Sequence, residues 1–184
     1  MCIRDRQKQN TLEEVSAGRM IAGFALSEPD AGSDVAAMDS KAFSTTEGWK
    51  VNGEKSWISN GGIADYYTLF AKTSDQTGSG GISTFLLEAD NPGLSIAERQ
   101  EVMAPHPLAR LQLKDAELSR QALLGEEGKG FGIAMATLNI FRPTVGAAAL
   151  GFARRALDEI LHYSGNRNIY GCLLYTSPSP RDSG

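Results

Sequence analysis

Short apolar runs separated by turn residues occupy the chain as far as residue 124. Runs of strand length fall at residues 21–27, 40–46, 49–52, 54–59, 66–72, 82–88, 94–99 and 110–114. Glu47-Gly48 and Asn52-Gly53 mark tight turns among them, Asn-Gly being a strong two-residue hairpin signal. Residues 28–34, 60–62 and 74–81 read as loops, since Gly, Pro, Asp and Ser favour turns over regular structure. Residues 11–19 read as the end of a helix, with Gly18 near its C-cap. So many short strands with turns between them predict an antiparallel barrel or sandwich.

The period changes after Gly125. Phe131, Met135, Leu138, Val145, Ala149, Phe152, Ala156 and Ile160 recur at helical spacing and predict a helix over residues 131–163. Pro143 lies inside it and is expected to kink or restart it, because proline lacks the N–H that the helical ladder needs. Residues 146–151 are small or aliphatic, so another helix can approach closely there. A lone helix of this length does not bury its own apolar stripe. The pattern therefore predicts neighbouring helices that the sequence itself does not supply.

Composition narrows the class. The chain has 184 residues, 41% hydrophobic and 22% charged, which is a globular and not a disordered balance. A net charge of -4 argues against a nucleic-acid-binding surface, which needs clustered Lys and Arg. No uninterrupted run approaches the ~20 apolar residues of a membrane span, so none is expected. No basic segment followed by an apolar core opens the chain in the manner of a signal peptide. The ends read differently from what lies between them. Residues 1–6 and the Ser/Pro-rich residues 172–184 resemble translated adapter sequence and are set aside as non-native additions. Both cysteines, Cys2 and Cys172, fall in these ends. The rest offers no disulfide, thiol nucleophile or cysteine metal site, and a cytoplasmic location is expected.

Few residues carry obvious chemistry. Gly125-Glu-Glu-Gly-Lys-Gly-Phe-Gly132 resembles a phosphate loop in composition but not in spacing: Lys129 is followed by Gly130, not Ser or Thr. Ile133 stands where a dinucleotide fingerprint needs its third glycine, so a flexible entry to the helix is the better reading. Glu28, Asp30 and Asp34 lack calcium-loop spacing and read as turn-forming, solvated acids. No metal site is expected. His106 and His162 have no nucleophile arranged beside them and read as surface histidines. Two strand-to-loop junctions stand out: residues 26–34 and residues 57–62. Each offers backbone N–H groups, a serine hydroxyl and steric room. Trp57 adds a flat ring able to stack, so the pair suits a planar heteroaromatic ligand.

These segments resemble those of the acyl-CoA dehydrogenase family. Phe24-Ala-Leu-Ser-Glu-Pro-Asp-Ala-Gly-Ser-Asp34 is similar to the family's first signature. Val51-Asn-Gly-Glu-Lys-Ser-Trp-Ile-Ser-Asn-Gly-Gly62 is similar to its second flavin segment. Arg142-Pro143 with residues 146–151 and 153–158 resembles its first long C-terminal helix, and Arg167-Asn-Ile-Tyr-Gly171 resembles the stretch after it. The implied fold is α+β: an antiparallel, barrel-like middle domain over residues 7–125, then the start of a helical C-terminal domain over residues 126–171. The rest of the family's architecture is expected outside the chain.

The resemblance implies FAD as cofactor, with Phe24, Leu26, Ser27, Gly32, Ser33, Trp57, Ile58 and Ser59 at cofactor-binding positions. Within that set Trp57 matches a ring near the isoalloxazine, and Ser59 matches a hydroxyl near N5. Arg167 matches a residue that reaches FAD across a subunit interface, which implies a homodimer or homotetramer. Ser33, Asn139 and Arg142 match positions that face the acyl-CoA substrate. The implied reaction is α,β-dehydrogenation, with an electron-transfer flavoprotein as oxidant. In a minority of the family the base immediately precedes the arginine matched by Arg142; Phe141 stands there and accepts no proton. No catalytic acid or base is therefore assigned, and the base is expected beyond the chain's C-terminal end. The alternatives are a noncatalytic β module as the chain stands, or part of a related flavin-dependent acyl-CoA oxidase.

Overall fold

A computed structural model describes residues 11–76 and 78–174. The chain divides into two compact units, one running to Met135 and one beginning at Ala136.

The first unit is built on an eight-stranded sheet. Its strands are β1 (Ala22–Ala25), β2 (Lys41–Ser44), β3 (Gly48–Ser59), β4 (Tyr66–Lys72), β5 (Ile82–Glu88), β6 (Leu94–Gln100), β7 (Leu108–Ser119) and β8 (Leu123–Leu124). The order is β6-β7-β3-β2-β4-β5-β8, with β1 added beside β4. The sheet is open, so the expected barrel-like closure is not found. Its path ends at β8, which is two residues long, and at β6, whose middle residues are exposed. Glu98 and Arg99 place charge along β6, a common way to blunt a free edge. Nor is the pairing wholly antiparallel: β1 and β2 both run parallel to β4. The α+β class stands.

Alternation builds the core. On β7, Ala109, Leu111 and Leu113 point inward, and on β4 and β5 Tyr67, Leu69, Phe85 and Leu87 do the same. Trp49 meets Phe85 edge-on, with ring centroids 5.4 Å apart. β4 and β5 pair without interruption from Tyr66 opposite Glu88 to Lys72 opposite Ile82.

Of the two sequence turns, one holds. The β2–β3 hairpin closes where Thr45 N–H donates to the Gly48 carbonyl (2.9 Å) and Gly48 N–H donates to Thr45 Oγ1 (3.0 Å). Asn52-Gly53 is no hairpin. It is an irregularity within the continuous strand β3, where the register against β7 shifts between Val51 and Gly53. The Asn52 amide donates to Asp115 Oδ1 (3.2 Å) and accepts from Asp115 N–H (2.8 Å), locking the two strands across the break. Gly53 has φ 153°, and a Cβ there would lie 2.2 Å from Ser40 Oγ. The dipeptide is thus selected by a bulge and a close approach, not by a chain reversal.

The helical segment at residues 11–16 ends as expected at Gly18, which has φ 71°. The long helix α1 spans Gly130–Asn166 without a restart at Pro143. Next to the proline, Thr144 Oγ1 donates to the Phe141 carbonyl (2.7 Å). Within the first unit, in the loop and first residue of α1, Gly128 N–H donates to Ser83 Oγ (2.8 Å), and a Cβ on Gly130 would lie 2.7 Å from Thr84 Oγ1. By length and composition alone α1 is apolar enough to cross a membrane, a test that the core helix of a folded domain also passes. Between Lys129 and Arg154 Arg142 is the lone charge, and polar residues interrupt the apolar ones. After α1, β9 (Asn168–Ile169) pairs antiparallel with β10 (Cys172–Leu173) around Tyr170 and Gly171, both at positive φ. Cys172 and Leu173, set aside on sequence grounds, take part in this hairpin. Leu174, also set aside, donates its N–H to the Arg167 carbonyl (2.6 Å), and residues 1–6 and 175–184 lie outside the described residues.

Candidate functional site

The two junctions singled out by sequence lie side by side. Phe24 sits on β1 and packs edge-on against Phe70, with centroids 5.0 Å apart. Leu26 is buried just beyond β1. The Ser27 carbonyl then accepts from Ser56 N–H (2.9 Å), joining the first segment to β3 one residue before Trp57. Beyond it, reciprocal bonds between Glu28 and Ala31 close the loop (3.0 and 3.3 Å). Gly32 and Ser33 are exposed on its outer side, and a Cβ on Gly32 would meet nothing within 4 Å.

The junction is held by a buried ion pair that sequence reasoning missed. Lys55 is 0% exposed. Its ammonium donates to Glu28 Oε1 (2.8 Å) and to the Leu26 carbonyl (3.1 Å). The Glu28 carboxylate also accepts from the backbone N–H of Asp39 (2.6 Å) and Ser40 (3.1 Å). Glu28 is therefore not a solvated turn acid. Burial pushes its carboxyl up, but the Lys55 charge and the N–H donors outweigh burial and hold it below the ordinary carboxylate value. Burial pulls the Lys55 ammonium below its ordinary value, and Glu28 opposes that pull. The available signal was a lysine inside a strand pattern, since a lysine facing a core needs an anionic partner.

On β3 the register against β7 shifts again between Lys55 and Ile58. Trp57 sits in this irregularity at φ 60°, a conformation that costs a bulky side chain free energy. The result is an indole 57% exposed at the end of a sheet whose other Trp, Trp49, is buried. Ser59 is also exposed, while Ile58 between them is buried in the core. The ring and the hydroxyl therefore face outward together, and Ile58 offers a ligand its backbone only. Asn60 fixes the end of the strand: its amide donates to the Ala22 carbonyl (2.9 Å), tying this junction to β1. Gly61 follows, where a Cβ would lie 2.5 Å from that of Ala109.

Two more polar side chains reach this rim, one from the end of β6 and one from the β6–β7 connection. Gln100 Oε1 accepts from Trp57 N–H (2.8 Å), and its Nε2 donates to Ser56 Oγ (3.2 Å). His106 Nε2 lies 3.0 Å from Ser59 Oγ. Neither was marked as functional by sequence, because no local motif connects residues 100–106 with residues 56–59.

The helical unit carries the remaining candidates. Asn139, Phe141 and Arg142 are exposed on α1, with Arg142 Nη1 3.4 Å from Asn139 Oδ1. The Arg167 guanidinium lies 5.8 Å from the centre of the Tyr163 ring.

Comparison with known proteins places these segments. A model of the acyl-CoA dehydrogenase middle domain matches residues 23–116, and a model of the acyl-CoA dehydrogenase C-terminal domain matches residues 128–182. A short-chain specific acyl-CoA dehydrogenase of Megasphaera elsdenii is 38% identical over 170 residues, which is 91% of this chain and 44% of the relative. The structure of butyryl-CoA dehydrogenase from Megasphaera elsdenii superposes with a TM-score of 0.86 at 36% identity, covering 94% of this chain and 46% of that one. The FAD complex of PigA gives 0.85 at 31% identity, covering 91% and 44%. The chain spans less than half the length of these relatives.

Proposed function

Since the chain belongs to the acyl-CoA dehydrogenase family, we propose that it forms one wall of an FAD site at which an acyl-CoA thioester loses hydrogen from its α and β carbons. The observation that carries this reading is the exposed Trp57 ring held at positive φ beside the outward Ser59 hydroxyl, one residue from a backbone bond between the two signature segments. An exposed flat ring with a neutral hydroxyl beside it suits a planar heteroaromatic cofactor. FAD, when bound, supplies the acceptor for the β-hydride.

The chain's own part is binding and orientation. Trp57 and Ser59 would hold the flavin, the first through its exposed ring and the second through its hydroxyl. Ser27, Gly32 and Ser33 provide backbone and hydroxyl contacts with room for a ligand to approach, and Phe24 and Leu26 support the floor beneath them. Glu28 and Lys55 keep the two segments in register. Asn139 and Arg142 are read as contacts for the acyl-CoA. Phe141 accepts no proton, so no base is assigned to the position on α1 immediately before Arg142.

The same reading includes Arg167 reaching a cofactor across a homodimer or homotetramer interface, an electron-transferring flavoprotein as oxidant, and a cytoplasmic location. It also treats α1 as a bundle helix and not as a membrane span. Arg142, Asn139 and Pro143 sit amid its apolar residues, and an arginine at mid-membrane costs about 2.5–3.5 kcal/mol.

The test is titration of FAD into the full chain, read by the flavin visible bands. Trp57→Ala is expected to weaken uptake by roughly threefold to tenfold, the worth of one aromatic contact. Ser59→Ala is expected to weaken it by about fivefold and to shift the visible bands, as loss of one neutral hydrogen bond predicts. FAD bands that stay those of the free cofactor at saturation would overturn the proposal.

A further inference from the structure

Residues 56–60 carry the ring and hydroxyl of the proposed site, and most of their outward polar groups are held by one short stretch of chain. Gln100 takes Trp57 N–H and gives a hydrogen bond to Ser56 Oγ. His106 Nε2 meets Ser59 Oγ at 3.0 Å. The Pro107 carbonyl accepts from Asn60 N–H (2.9 Å). These contacts span more than 40 positions in sequence, so they are tertiary and not incidental to a turn.

We infer that Gln100, His106 and Pro107 complete the flavin-facing rim, with His106 the positioning residue for the Ser59 hydroxyl and Gln100 the positioning residue for the Trp57 backbone. The inference rests on the FAD reading above. Its physical basis is the hydroxyl's single proton. When His106 Nε2 bears hydrogen and donates, the Ser59 proton is free to donate to a ligand. When Nε2 is bare, it takes that proton, and Ser59 presents only lone pairs outward. The imidazole thus decides whether Ser59 offers a ligand a donor or an acceptor. Gln100 acts on the other element. By accepting Trp57 N–H and holding Ser56 it fixes the positive-φ turn on which the indole's direction depends. Without it that backbone has a strained conformation and one fewer restraint.

The experiment is FAD titration of the full chain and of His106→Ala, His106→Gln, Gln100→Ala, Ser59→Ala and the Ser59→Ala/His106→Ala double variant. Met103→Ala, which changes a fully exposed side chain of the same segment, is the control. His106→Ala is expected to weaken FAD about fivefold, one neutral hydrogen bond's worth, and to shift the visible bands in the direction that Ser59→Ala shifts them. His106→Gln, whose amide N–H replaces the donor, is expected to restore both. The double variant is expected to lose no more than either single one, since the two residues act through one hydroxyl. Gln100→Ala is expected to weaken FAD and to leave the Ser59-dependent band shift in place. Met103→Ala is expected to change nothing. Unaltered affinity and bands in His106→Ala, with Ser59→Ala still impaired, would overturn the positioning role while sparing the FAD reading. Additive losses in the double variant would overturn it as well. If Ser59→Ala itself has no effect, the assignment of Ser59 within the FAD reading fails, and the role of His106 fails with it.

Discussion

Phe85 on β5 and Phe152 on α1 are the same side chain in opposite circumstances: 0% exposed in one case and 77% in the other. The contrast extends beyond them. The body's strands bury Tyr67, Leu87 and Leu111 against one another, whereas α1 buries only Gly130 and Ala134 and leaves Ile140, Leu157 and Ile160 exposed. Both regions carry apolar residues at the spacing of their own element. In the body the period meets its own complement, because neighbouring strands supply the facing side chains. On the helix the stripe has no facing surface among the described residues. A hydrophobic period therefore says which face seeks cover, and nothing about what provides it.

Paired truncations test that difference most strongly. Phe85→Ala is expected to cost about 3–5 kcal/mol, since it removes transfer free energy and leaves a cavity in a packed core. Phe152→Ala is expected to stay within about 0.5 kcal/mol, the range of an exposed substitution. Urea unfolding of the two variants reads both. A large loss in Phe152→Ala would mean that the helix face is covered in solution, and the contrast would then lie in the isolated chain alone.

The next test uses charge. Lys55→Ala leaves the Glu28 carboxylate buried without its cation, at a cost of about 3 kcal/mol. Replacing both partners at once, Glu28→Gln with Lys55→Met, is expected to recover much of the loss. The pair also gives a pH signature. Glu28 has its folded pKa below the ordinary 4.5, so its stabilisation is full above that value and is lost as pH falls through the folded value. Acid unfolding followed by tryptophan fluorescence is expected to begin at higher pH in Lys55→Ala than in the parent chain. Coincident acid transitions would show that the pair does not hold the junction.

Much of this organisation was legible in the residues. Strands β4 and β5 were readable to the residue because each is a strand-length apolar run bounded by turn residues and their pairing has no irregularity. The helix was readable from its period, and the two segments around Ser27 and Trp57 from their resemblance to a family. What escaped was whatever depends on an irregularity or on distant partners. Asn52-Gly53 carries the signature of a hairpin, but its meaning here is set by Ser40 and Asp115, which approach from other strands. Glu28 looked like a surface acid because its cation is 27 positions away. His106 looked idle because Ser59 is 47 positions before it. Sheet closure escaped for a similar reason: alternation marks the faces of a strand but not whether its outer edge finds another strand.

The smallest expected effect completes the contrast, because it places the same kind of interaction in the other region. Arg155 and Glu159 form an ion pair one turn apart on α1, with side chains 77% and 58% exposed. Water already solvates both charges, so pairing regains little desolvation and must restrain two long side chains. Its sequence order, cation before anion, is also the weaker one for a helix. Glu159→Gln is expected to cost no more than about 0.3–0.5 kcal/mol, and to cost less still in molar salt, because an exposed pair is screened. Helix content followed by circular dichroism at low and high salt reads this. Beside the roughly 3 kcal/mol expected at Lys55, a loss that small makes burial, and not the presence of opposite charges, the variable that separates the two regions. A salt-insensitive loss of several kcal/mol at Glu159 would mean the opposite: that this part of the helix is enclosed and its ion pair belongs to an interface.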